Sequence, residues 1–63
     1  MMYVVMFYET GIGYINDRNC KIFTDKKTAR FYARRLNKNL VKVFGGNVED
    51  LDDRYEIIEM PLA

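Results

Sequence analysis

The sequence predicts an α+β fold, a small antiparallel sheet with one helix packed on one face, and three observations carry that expectation. Apolar runs with strand character lie near both ends of the chain, at Met2–Glu9 and Tyr55–Met60. A helical spacing of apolar residues fills the middle. Turn residues rich in glycine, asparagine and aspartate separate these segments. The expected order is β-β-α-β-β within a single domain spanning residues 1–63.

The first strand, Met2 to Glu9, is apolar on both faces, with Tyr3, Val5 and Phe7 on one side and Val4, Met6 and Tyr8 on the other. That pattern suits a central strand. Thr10-Gly11-Ile12-Gly13 reads as a turn and Gly13 to Asn16 as the start of a returning strand. Asn16-Asp17-Arg18-Asn19 is turn-like, and Cys20 to Phe23 continues or restarts the strand. A long hairpin with a bulge and two separate short strands both satisfy this stretch.

Thr24 is a suitable N-cap, with Asp25 in the first helical turn. Ala29, Tyr32, Ala33 and Leu36 then follow at i, i+3, i+4 and i+7. The helix is expected near residues 25–37, ending at Asn37-Lys38-Asn39, where asparagine favours a left-handed exit. Leu40 to Phe44 reads as a strand, Gly45-Gly46-Asn47 as a turn, and Val48 to Arg54 as an acidic connector with room for one helical turn. Tyr55 to Met60 forms the last strand, stopped by Pro61. The expected core sets Ala29, Tyr32, Ala33 and Leu36 against Val5, Phe7, Val43 and Ile57. One helix covers one sheet face, so the opposite face is expected to stay partly uncovered.

Composition narrows the function classes. The chain is 49% hydrophobic and 14% aromatic, enough for a core, but a chain of 63 residues buries only about 60% of the surface its unfolded form exposes, which leaves a thin stability margin. Cys20 is the single cysteine and histidine is absent, so neither an internal disulfide nor a Cys/His zinc site is expected. Cys20 is read as a small buried hydrophobe. The apolar start ends at Glu9, too short to span a bilayer and without the flanks of a signal peptide. With a free thiol, a cytoplasmic location is expected, and no membrane partner.

An enzyme is not expected. Without histidine the commonest general base is missing, and serine is absent too. Gly11-Ile12-Gly13 lacks the following helix and further glycines of a phosphate loop. No catalytic residue, cofactor or metal is assigned.

Charge layout is the strongest functional signal. Lys21 to Lys42 holds eight basic residues against Asp25, whereas Val43 to Ala63 holds six acidic residues against Arg54. A net charge of +1 therefore conceals a dipole along the chain. Lys27, Arg30, Phe31, Arg34, Arg35 and Lys38 fall on the helix face opposite the apolar stripe, a basic surface with an aromatic ring set in it. Like-charge pairs such as Arg30/Arg34 and Arg34/Lys38 cost a few tenths of a kcal/mol each, and an acidic partner relieves them.

Three readings compete for this face. It is a solvated surface or one neutralised by the acidic segment; it binds nucleic acid through phosphate contacts and stacking on Phe31; or it docks on an acidic protein surface, with arginine and aromatic residues as anchors. The stretch Glu49-Asp50-Leu51-Asp52-Asp53 lacks the order of a calcium loop. Glu49, Asp50, Asp52 and Asp53 form the alternative binding surface, able to imitate a phosphate backbone, or simply a solubilising loop.

The segment from Phe23-Thr24-Asp25-Lys26-Lys27-Thr28-Ala29 to Leu36 is a strand-to-helix pattern shared by many small domains. With its size, tyrosine content, split charge and lack of catalytic residues, the chain resembles small phage-encoded accessory proteins, including anti-CRISPR and other host-directed inhibitors. The resemblance spans the whole chain in architecture and composition, without a motif. It implies a non-catalytic module that blocks a surface of a larger protein or nucleoprotein in the host cytoplasm. A nucleic-acid-binding protein and a structural homo-oligomer, such as a homodimer joined by the uncovered sheet face, are the alternatives.

Overall fold

The computed structural model describes residues 1–61 and shows an α+β architecture, a four-strand antiparallel sheet with one helix across one face. In chain order the elements are β1 (Met2–Glu9), β2 (Gly13–Ile15), β3 (Lys21–Phe23), α1 (Lys26–Phe44), a 3-10 turn (Val48–Asp50) and β4 (Arg54–Met60). The order is thus β-β-β-α-β rather than the expected β-β-α-β-β.

β1 is central, as its two apolar faces require. β4 pairs along its length from Met2↔Met60 to Tyr8↔Arg54. β2 and β3 must then share the other edge, where Phe7 meets Ile15 and Tyr3 meets Phe23. Without interruption the register of β2 would set Tyr3 against Asn19. Four extra residues are therefore looped out between β2 and β3, in the segment Asn16–Cys20. Of the two arrangements left open by the sequence, the structure has the two separate short strands, both on the same edge of β1. An even number of extra residues keeps the alternation of faces, so Ile15 and Phe23 both lie on the helix side with Val5 and Phe7.

Two expectations about the helix are corrected. Asp25, not Thr24, is the N-cap: its carboxylate accepts from the Thr28 N–H at 2.9 Å and the Thr28 hydroxyl at 2.6 Å. The helix also continues past Asn37-Lys38-Asn39 through Phe44, so Leu40–Phe44 is not a strand. Leu40 stands four residues after Leu36 and prolongs the core-facing stripe. The stop comes at Gly45, which adopts φ +82° and donates its N–H to the Val41 carbonyl at 2.7 Å. Val43, expected in the core, is 75% exposed on the last helical turn.

The core is narrow. Val5, Ala29, Ala33 and Tyr55 are buried, and Tyr3, Phe7, Phe23, Tyr32, Leu36, Leu40 and Ile57 pack around them. Small alanines let the helix approach the sheet, and aromatic rings fill the margins. Phe7 meets Tyr55 edge-on with centroids 5.1 Å apart, and Phe23 meets Tyr32 at 5.3 Å.

Candidate functional site

Two side-chain contacts lay α1 along β4. At the helix start, Lys26 Nζ sits 2.9 Å from Glu59 Oε1. Three turns later, Asn37 Nδ2 donates to the Tyr55 carbonyl at 3.0 Å and Asn37 Oδ1 accepts from the Tyr55 N–H at 2.8 Å. Helix and strand thus run antiparallel. Between these contacts lies a groove of ≈ 470 Å³ walled by Arg30, Arg34 and Arg54 and floored by Ala33, Tyr55 and Ile57. A second hollow of ≈ 280 Å³ lies between Lys27, Arg30, Phe31 and Arg34 on the outer helix surface.

All six residues expected on the basic face, Lys27, Arg30, Phe31, Arg34, Arg35 and Lys38, are exposed and share the outward side of α1. Phe31 is 63% exposed among the cations. None of those five cations makes an ion pair among the described residues; the salt bridges there are Lys26–Glu59 and Arg54–Glu56. Among the described residues the acidic segment therefore makes no ion pair with these five cations.

The acidic surface divides into structural and exposed members. The Asp50 carboxylate accepts from the Asn47 N–H at 3.2 Å, fixing the 3-10 turn. Asp53 Oδ1 accepts from the Thr10 N–H at 2.9 Å, and the Asp52 carbonyl accepts from the Thr10 hydroxyl at 3.0 Å, tying the connector to the first hairpin. Glu49 and Asp52 present exposed side chains. Among the described residues no three carboxylates or cysteines gather as a metal site.

The looped-out segment forms a polar cluster that sequence reasoning passed over as a turn. Tyr55 reaches from β4 across Phe7 and donates its hydroxyl to Asp17 Oδ2 at 2.6 Å, while Asn19 Nδ2 donates to the same hydroxyl at 3.1 Å. The Tyr32 hydroxyl donates to the Asn19 carbonyl at 2.6 Å. Burial alone would raise the Asp17 pKa. Hydrogen bonds from Tyr55, the Asn19 backbone and Cys20 outweigh that effect and hold it below the ordinary carboxylate value. Burial, then the bond to Asp17, push the Tyr55 hydroxyl up. Cys20, expected as a buried hydrophobe, is half-buried and polar in its contacts: the Asp17 N–H points to its sulfur at 3.3 Å. The Asp17-x-Asn19 spacing and the five tyrosines are present in the sequence, but only the fold reveals that Tyr32 and Tyr55 meet the loop.

The far face of the sheet has no element over it among the described residues. Cross-strand partners share a face, which places Met2, Val4, Met6, Tyr8, Tyr14, Ile22, Ile58 and Met60 there. Ile22 is 64% exposed and Met60 45%. Its charges, Arg54 and Glu56, lie 3.5 Å apart, and Glu56 also accepts from the Tyr14 hydroxyl at 3.0 Å. That hydrogen bond raises the Tyr14 pKa.

No helix among the described residues is long and apolar enough to cross a membrane. No protein-family model matches the chain, no curated protein is significantly similar to it, and no solved structure matches its fold.

Proposed function

We propose that this protein is a non-catalytic binding module that occupies an acidic surface of a larger protein or nucleoprotein through the outer face of α1. One observation carries the reading: five cations and an exposed phenylalanine share one rigid helix face, and none of the five has an ion-pair partner among the described residues. The repulsion stored along that row is relieved only by anions supplied from outside. Action as a phage-type inhibitor in the host cytoplasm, anti-CRISPR or otherwise, accords with the small size and is the biological form of the same proposal.

The test is capture from a bacterial lysate by the immobilised protein, by R30E/R34E and by D52K. The helix variant should lose the captured species and D52K should retain it. The opposite result moves the site to the acidic connector. Asp53 is left untouched because it holds Thr10. Gel shifts with single-stranded DNA at rising salt address the nucleic-acid alternative, in which affinity falls steeply with salt.

A second reading has its own observation. The uncovered sheet face is apolar and its Arg54 and Glu56 are already paired with each other, so two copies placed face to face do not repel. This supports a homodimer joined by that face, independent of the helix.

A further inference from the structure

The outer edge of β4 carries backbone groups with no partner among the described residues, and their position follows from the pairing. In an antiparallel ladder both backbone groups of one residue point to the same side, and successive residues alternate. Tyr55 turns its N–H and carbonyl away from β1, toward Asn37. Ile57 and Glu59, two and four residues on, must therefore direct theirs outward as well. Asn37 stands in for a neighbouring strand at Tyr55 and closes the edge there; Pro61 ends it at the other side. A window of about five residues, Glu56–Met60, remains, and its outward backbone groups are those of Ile57 and Glu59.

Arg30 and Arg34 border this window in the groove between α1 and β4. They are one helical turn apart, about 6 Å along the axis. Alternate residues of an extended chain repeat at roughly 6.6 Å. A strand laid against Ile57 thus brings side chains two positions apart up to the two guanidiniums, one each.

We infer that the exposed edge of β4 accepts an extended acidic segment of a protein partner as an added strand, with its backbone paired to Ile57 and Glu59 and its alternate carboxylates on Arg30 and Arg34. This rests on the proposed use of the α1 face and specifies its partner. Charge selects the occupant. A second copy pairing β4 to β4 would bring the arginines of two helices together, and the one carboxylate it would offer on that face, Glu59, is already held by Lys26, so the edge that invites an acidic strand disfavours itself. The opposite edge is unsuited to addition because the loop Asn16–Cys20 interrupts it. Strand addition draws affinity from main-chain bonds and specificity from alternate side chains, which this groove separates into one backbone window and two cations.

The experiment uses the full chain, isotopically labelled, with a fluorescein-labelled Glu-Val-Glu-Val-Glu peptide, its Lys-Val-Lys-Val-Lys counterpart and a thymidine decamer. The acidic peptide should give saturable anisotropy below about 1 mM and the lysine peptide none. R30E/R34E should weaken it at least about tenfold. Saturation should slow hydrogen exchange of the Ile57 amide at least about tenfold. A synthetic chain N-methylated at Ile57 removes that donor while keeping the side chain, and should bind about tenfold more weakly. The exchange measurement on the unmodified chain decides the matter if methylation disturbs folding. Peptide binding that leaves Ile57 exchange unchanged overturns strand addition while leaving the basic-face reading in place. Equal binding of both peptides, or no binding of the acidic one, overturns the acidic partner. Tighter binding of the decamer, abolished by R30E/R34E, replaces it with nucleic acid.

Discussion

Asn37 on α1 pairs both atoms of its amide with the backbone of Tyr55 on β4, donating at 3.0 Å and accepting at 2.8 Å. The side chain is buried and copies what a fifth strand would do, so the helix is docked to the sheet by directed bonds as well as by apolar contact. Replacing Asn37 with leucine keeps the approximate volume but strands the Tyr55 N–H and carbonyl. Each buried unsatisfied group costs about 1–3 kcal/mol, so N37L should lose roughly 2–4 kcal/mol despite being more apolar and a better helix former. Urea denaturation measures this. A leucine variant as stable as the parent would mean that solvent already reaches Tyr55.

A second prediction concerns acid stability and the Asp17–Tyr55 bond. The Asp17 pKa is held below its ordinary value of 3.8 by hydrogen bonds from Tyr55, the Asn19 backbone and Cys20, against the effect of burial. The unfolded chain therefore takes up this proton more readily. The resulting stabilisation is complete above the ordinary value and disappears as pH falls through the lower native one. D17N should be less stable than the parent at neutral pH, with the gap narrowing below about pH 4. Asp25, also depressed by its bond to Thr28, is common to both proteins and cancels in the comparison. Parallel pH profiles of the two proteins in urea would refute the assignment.

Leu36 packs against the buried cluster but is itself only half-buried. Leu36→Ala should therefore fall at the low end of the usual large-to-small range, about 2 kcal/mol. In a domain of this size that corresponds to a melting temperature lower by roughly 10 °C. An unchanged melting curve would show that the helix meets the sheet through its alanines alone.

The sequence made the central strand legible because both faces of Met2–Glu9 are apolar, and it made the core-facing side of the helix legible through Ala29, Ala33 and Leu36. It misjudged where the helix stops. Asn37 and Asn39 have the character of a terminus, and Val41 and Val43 that of a strand, yet Leu40 continues the stripe and Gly45 supplies the positive φ that ends it. Local propensity was overruled at Asn37 by a tertiary demand, the unpaired backbone of Tyr55 eighteen residues away. The exposed basic row was legible because periodicity alone separates it from the apolar stripe. The β4 groove was not, because it depends on which side of the strand Arg30 and Arg34 overhang.

The last prediction tests the uncovered sheet face. Val4 sits at its centre, opposite Ile22 on one side and Ile58 on the other. Eight residues of β1 and the width of three ribbons give a face of roughly 26 by 14 Å. Two such faces in contact bury roughly 700 Å², below the range of stable specific interfaces, so the dimer should be weak and concentration-dependent. Sedimentation velocity over rising concentration should show the parent moving from monomer toward dimer. Val4→Lys should remain monomeric, since two lysines would meet in an apolar centre without counter-charges. R30E/R34E, altered on the other side of the molecule, should dimerise like the parent. A parent that stays monomeric throughout, or a Val4→Lys variant that associates equally well, would remove this face as a self-association surface and leave α1 as the candidate interface.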